Sequence, residues 1–154
     1  NFNCPGQTVI AGAAGAVEKA CAALKEAGAK RAIMLNVSAP FHSSLMEPAA
    51  QKLKKVLDKI EIKDAEIPVI ANVNALAETK AADIRTHLVE QAAHAVRWEE
   101  SERNLIAGGM DTMVECGPGT VLSGFMRKID KSIVSYHAEN IETIIETVQA
   151  LKGV

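Results

Sequence analysis

The chain is predicted to be an α/β protein with a largely parallel sheet. Two observations predict this, and a third, the composition, leaves room for the core it needs. Apolar runs of strand length alternate with runs whose apolar residues recur at helical spacing. Glycines fall where such helices should end. And 48% of the 154 residues are hydrophobic against 23% charged, a balance that suits one folded domain with a sizeable core. The predicted order is β-α-β-α-β-α-α-β-α-β-α, the alternation expected of parallel strands joined by helical crossovers.

Each element has its own warrant. "QTVIAG" (7–12) is a short apolar run ending in Gly12, hence a strand. In the next stretch Val17, Ala20, Cys21, Leu24 and Ala27 share a helical face, and Gly28 suits the C-terminal cap. "RAIMLNV" (31–37) predicts a second strand. A helix follows from about Leu45 to Ile60, with Leu45, Ala49, Leu53, Val56, Leu57 and Ile60 as its stripe, and Ser44 and Glu47 at capping-box spacing. "IPVIANV" (67–73) is apolar almost throughout, which predicts a buried strand. Two helices are then predicted, "AADIRTHLVEQAAHAV" and "RWEESERNLIAGG", the second ending at Gly108–Gly109. "DTMVEC" (111–116) is a strand, "GPG" a turn, "TVLSGFMRKI" a short helix and "SIVSYH" a last strand. The final helix has Ile141, Ile144, Ile145, Val148 and Leu151 as its stripe, and Lys152–Gly153 mark its end. The first β-α-β could form a separate small unit, with a seam near Ser38 to Ser43.

Composition excludes several classes of function. The formal net charge is −2, and no basic stripe interleaved with aromatics points to nucleic acid. The longest uncharged stretch, from Asn1 to Val17, carries asparagines, Pro5, Gln7 and glycines, so it reads neither as a membrane span nor as a secretory signal. Cys4, Cys21 and Cys116 are widely spaced and make no metal-ligand pattern with histidine, so no metal site is expected; they read as reduced thiols of a cytoplasmic protein. The opening "NFNCPGQ", without methionine, suggests a piece of a longer chain.

Candidate sites are few. His42 lies in "SAPFHSSLMEP", between a predicted strand and a predicted helix, where α/β proteins place functional groups. A helix N-terminus disfavours imidazolium, which suits a general base; the plainer alternative is a loop histidine that only caps or hydrogen-bonds. No G-x-S-x-G elbow supplies a nucleophile. "VECGPGTVL" (114–122) is a glycine-rich turn before a helix that could hold a phosphate, but it matches neither G-x-G-x-x-G nor a P-loop, and turn geometry explains it as well. His87 and His94 fall on one predicted helix, roughly on one face, without a metal-binding pattern. His137 could cap the last helix, Trp98 anchors a helix in the core, and Cys116 reads as a small core residue.

Several stretches, in order, resemble the C-terminal half of the malonyl-CoA:acyl carrier protein transacylase family. "NFNCPGQTVIAG" is similar to that family's N-x-N-x-P-G-Q-x-V-I-A-G. "AGAKRAIMLNVSAPFHSSLMEPAAQKL" resembles the segment around its catalytic histidine, and "IPVIANVNA" the strand that follows. "LVEQAAHAVRWEESE" resembles its L-x-x-Q…P-V-x-W segment, with Ala95 in place of the usual proline. "ECGPGTVLSGFMRKI" resembles E-x-G-P-G-x-V-L-x-G-L. The likeness covers essentially the whole chain.

The resemblance implies the C-terminal part of an α/β-hydrolase-like large subdomain (residues 39–154) and the latter part of a ferredoxin-like small subdomain (residues 1–38). It implies ping-pong transfer of malonyl from coenzyme A to the phosphopantetheine thiol of acyl carrier protein in fatty acid biosynthesis, with a coenzyme A thioester as substrate and no cofactor. By motif match His42 is the base that activates an elbow serine, Gln91 orients it through an acceptor oxygen, Asn3 lies near the substrate pocket, and Phe41 favours malonyl over methylmalonyl. The elbow serine, the oxyanion-hole glutamine and the arginine that pairs with the malonyl carboxylate are all absent here. The chain alone is therefore expected to be inert, with an exposed sheet edge and apolar patches. An acyltransferase domain of a polyketide-type synthase, a protein that has lost its elbow, and a non-catalytic α/β binding module in which His42 and the GPG turn are structural are the alternatives.

Overall fold

The computed structural model describes residues 1–153. The chain is a mixture of helices and short strands. Phe2–Cys4 (β1) and Gln7–Thr8 (β2) pair across Pro5–Gly6, where Gly6 takes the left-handed conformation that a tight turn requires. The chain divides into two compact units: Asn1 with Thr8–Arg97, and Phe2–Gln7 with Trp98 onward.

In the first unit α1 (Ala14–Glu26) forms as its spacing predicts, and Gly28 follows it at positive φ. The segment 31–37 does not form a strand. A strand exists only where a neighbour completes its ladder, and no neighbour for this segment is found among the described residues. Its Ile33 and Val37 are about two-thirds exposed. After one 3-10 turn (Ser44–Met46) comes α2 (Glu47–Leu57), with Pro48 in its first turn, where a missing N–H goes unnoticed. The expected capping box of Ser44 and Glu47 is absent: the N-cap is Met46, and the Glu47 carboxylate accepts from Gln51 Nε2.

The buried strand expected over 67–73 shrinks to Val69–Ile70 (β3), an antiparallel partner of Ala77–Glu78 (β4), with Ile67 and Val69 more than half exposed. Continuous apolarity here marks surface that lacks a cover among the described residues. Asn74 shapes the β3–β4 connection, its side-chain oxygen accepting from Leu76 N–H, and Ala75 adopts a left-handed φ of 61°. Helix α3 (Ala81–Glu90) stops six residues earlier than its apolar spacing predicts, so His94 lies beyond it and shares no helical face with His87. Arg85 ties α3 to α2: its guanidinium donates to the carbonyl of Leu57, the last residue of α2, and to that of Ile60 in the turn beyond it. The buried apolar residues of this unit are alanines, namely Ala50, Ala71, Ala75 and Ala93.

The second unit holds α4 (Trp98–Ala107), β5 (Thr112–Cys116), α5 (Val121–Ile129), β6 (Val134–Ala138) and α6 (Ile141–Lys152), each close to its predicted span. β5 and β6 run parallel, Thr112 opposite Val134 and Cys116 opposite Ala138, joined by the right kind of connection, a helical crossover. This is the parallel pairing found among the described residues, so the sheet is less extensive than expected. Cys4, Met126, Ile129 and Ile133 form the core, with Trp98, Ile106, Met110, Met113 and Phe125 packed on it. α6 closes with Gly153 in the left-handed conformation, and its N-cap is Asn140 rather than His137. Cys116, expected in the core, is exposed.

Candidate active site

His42 sits in a turn at the end of an irregular segment, one residue before the cap of the 3-10 turn. Its backbone is left-handed, φ 58°, which a side chain with a Cβ adopts at a cost of about 1–2 kcal/mol. Non-glycine residues held in this region gather at functional sites. The ring is half-buried, and its Nδ1 lies 2.9 Å from the main-chain oxygen of Gln91. A carbonyl only accepts, so Nδ1 carries the hydrogen and donates it. Nε2 then holds the lone pair, the tautomer a general base needs.

Gln91 presents that oxygen because α3 ends there. It is the C-cap residue, and its N–H donates to His87 O at 2.9 Å, which leaves its own carbonyl among the orphans of a helix terminus. One turn earlier, His87 Nδ1 bonds the Glu78 carboxylate on β4, while its Nε2 lies 3.4 Å from Asn74 Nδ2. This pairing ties α3 to the β3–β4 connection and escaped the sequence reading, because no short spacing signals it. Gln91, Ile70, Asn72, Glu78, His87 and Leu88 line an open cleft of about 200 Å3. Among the predicted site residues, His42 and Gln91 are thus brought together. Phe41 precedes His42 and is half-exposed. Asn3 stands half-buried on β1, in the second unit.

The glycine-rich turn is explained without a ligand. The buried Glu115 carboxylate, at the end of β5, accepts from Leu122 N–H at 2.9 Å, Ser123 N–H at 2.8 Å and Ser123 Oγ–H at 2.6 Å. It sits at the N-terminus of α5, where the helix dipole and the free N–H groups favour a negative charge. Gly117 and Gly119, both at positive φ, let the chain double back to bring this about. Burial works to raise the Glu115 pKa, but the hydrogen bonds from Ser123, Leu122 and Val121 outweigh it and hold the group below the usual glutamate range. In the same unit, burial alone pushes Glu102 up.

The remaining candidates have structural contacts. His94 Nδ1 lies 2.7 Å from Glu90 O, and His137 O accepts from Thr147 Oγ1 at 2.9 Å. The three cysteines are free. Among the described residues, no group of three histidine, cysteine or acidic side chains gathers as a metal site would need, and no helix is long and apolar enough to cross a membrane.

The profile of the acyl transferase domain matches residues 1–149. The malonyl CoA-acyl carrier protein transacylase of Bacillus subtilis is 53% identical over 152 residues, covering 99% of this chain and 48% of the relative. That of Escherichia coli K12 is 48% identical over 129 residues, covering 84% and 42%. Among solved structures, the transacylase (MCAT) of Streptococcus pneumoniae superimposes with a TM-score of 0.92 at 41% identity, covering 97% of this chain and 49% of that one. A malonyl-transacylase solved with its type II polyketide acyl-carrier protein gives 0.84 at 39% identity, covering 92% and 45%. The chain spans about half the length of the relatives it matches. With the domain profile matched over residues 1–149 and relatives at about half identity, the chain belongs to the acyl transferase domain family.

Proposed function

We propose that this chain supplies the histidine half of a malonyl-CoA:acyl carrier protein transacylase of fatty acid biosynthesis, acting in the cytoplasm. The observation that carries the reading is the bond from His42 Nδ1 to Gln91 O, which leaves Nε2 free to take a proton. In the first half-reaction Nε2 removes the proton from a serine hydroxyl held outside these 154 residues. The serine oxygen attacks the malonyl thioester carbonyl, and the coenzyme A sulfur leaves with the proton that Nε2 returns. In the second half-reaction the thiol of the carrier's phosphopantetheine gives its proton to Nε2 and takes the malonyl group, and the serine recovers its hydrogen. Gln91 holds the ring in the required tautomer through its main-chain oxygen, so its side chain is dispensable for that role.

No cofactor enters this chemistry. Asn3 lies by the substrate, and the bulk of Phe41 disfavours an α-methyl branch. Residues 1–38 belong to a ferredoxin-like small subdomain and 39–154 to an α/β-hydrolase-like large one. The same chemistry on a polyketide carrier is the second reading, favoured by the likeness to the transacylase solved with such a carrier. The test is transfer of labelled malonyl from coenzyme A to purified carrier protein. A complete transacylase that contains this sequence should transfer it, and the 154-residue chain alone should not. Turnover by the chain alone would remove the need for an outside serine.

A further inference from the structure

We infer that Ser43 is a positioning residue for His42, an assignment that rests on the reading of His42 as the base. The left-handed backbone at His42 is intrinsically unfavourable, and relaxing it would swing the Cα–Cβ bond and carry the ring away from Gln91. Something must hold the turn shut. Ser43 Oγ donates to Pro40 O at 2.7 Å, tying the residue after His42 to the carbonyl two residues before it. Both ends of this loop are fixed. Pro40 has a ring-locked φ, and Ser43 O accepts from Met46 N–H at 2.9 Å in the following 3-10 turn.

The hydroxyl has also abandoned the usual task of a serine in this place. Ser43 is the N-cap of the 3-10 turn, where a serine oxygen ordinarily accepts from a backbone N–H inside the turn, yet it makes no such cap bond. Its hydrogen points back to Pro40 instead. A two-point clamp results: the Ser43 hydroxyl fixes the backbone of the turn, and the Gln91 carbonyl fixes the ring it presents. The backbone of Ser43 is extended, φ −130° and ψ 164°, a conformation that β-branched residues also adopt, so threonine can replace it.

Threonine and valine at position 43 differ only in the hydroxyl, which makes them the decisive pair. In a complete transacylase containing this sequence, Ser43→Val and Ser43→Ala should each lower kcat for malonyl transfer roughly 10- to 100-fold, the effect of a misaimed group, with KM for malonyl-CoA within about twofold. Ser43→Thr should restore kcat to within about threefold of wild type. On a His42→Ala background Ser43→Ala should add no further loss, because no ring remains to be aimed. A valine variant as fast as the threonine variant, or a Ser43→Ala loss that persists undiminished without His42, overturns the assignment. Wild-type transfer by His42→Ala would instead overturn the reading of His42 as the base. Loss in His42→Ala with full activity in both Ser43→Ala and Ser43→Val removes Ser43 alone.

Discussion

The left-handed conformation of His42 makes a stability prediction separate from its chemistry. Glycine meets no penalty at φ 58°, whereas alanine does, so His42→Gly should be more stable than His42→Ala by about 1 kcal/mol in thermal or urea unfolding. The reverse order would mean the backbone there is free to relax. Two buried glutamates of the second unit make an opposed pair. The Glu115 pKa is depressed below its ordinary value of 4.5, so its contribution is fully present above that value and is lost as pH falls through the folded pKa. The Glu102 pKa is raised, so stability declines as pH rises from 4.5 through the folded pKa, and the penalty of a buried charge is complete above it. Glu115→Ala strands two backbone donors and a hydroxyl, and should cost about 2 kcal/mol or more near neutral pH. Glu102→Gln should raise the unfolding midpoint near neutral pH, and the gain should vanish in mild acid. A destabilising Glu102→Gln would show that the ionised carboxylate is favoured where it lies. None of this was legible beforehand: the sequence places both glutamates in amphipathic or strand patterns that say nothing of which will be buried.

At the scale of elements, what could be read depended on where each element finds its hydrogen bonds. α1, α4, α5 and α6 close their bonds within themselves, and periodicity, with a terminal glycine after α1, α4 and α6, locates them to within a few residues. Spacing overextends α3 because alanines and one valine carry the apolar pattern past Glu90, through the turn that presents the Gln91 oxygen. The strands depend on partners. β5 and β6 pair with each other, whereas 31–37 has the composition of a strand and no ladder among the described residues. The histidine turn was legible as a place, yet its geometry was not, because φ at His42 and the bond to a residue 49 positions away leave no local trace. Caps show the same dependence on geometry that spacing does not carry. Ser44 and Glu47 have the right spacing and form no box, while Asn140 and Thr143 do: Asn140 Oδ1 accepts from Thr143 N–H at 3.0 Å, and Thr143 Oγ1 accepts from Asn140 N–H at 3.0 Å. Asn140→Ala should therefore destabilise the second unit by about 1 kcal/mol, and Ser44→Ala by much less, as read from urea midpoints.

At the scale of the molecule, the first unit buries alanines and exposes larger residues, among them Ile33, Met34, Leu35, Val37, Ile67 and Val69. The alanine-rich interior follows from the composition, but the outward face of the large residues does not, since apolar character alone does not say what will cover them. Such a surface predicts that the 154-residue chain by itself binds a hydrophobic dye and self-associates, more so at high salt, in light scattering. A chain that stays monomeric and dye-free at high concentration would mean these residues find cover within it.

The proposed base stands or falls on the covalent step it drives. Mixing malonyl-CoA with a complete transacylase that carries this sequence, and following the malonyl-enzyme adduct by mass in a single turnover, isolates that step. His42→Ala should slow formation of the adduct by about 100-fold to 10,000-fold, the range of a lost general base, while circular dichroism stays that of the wild type. An adduct that forms at the wild-type rate without the imidazole would contradict the mechanism.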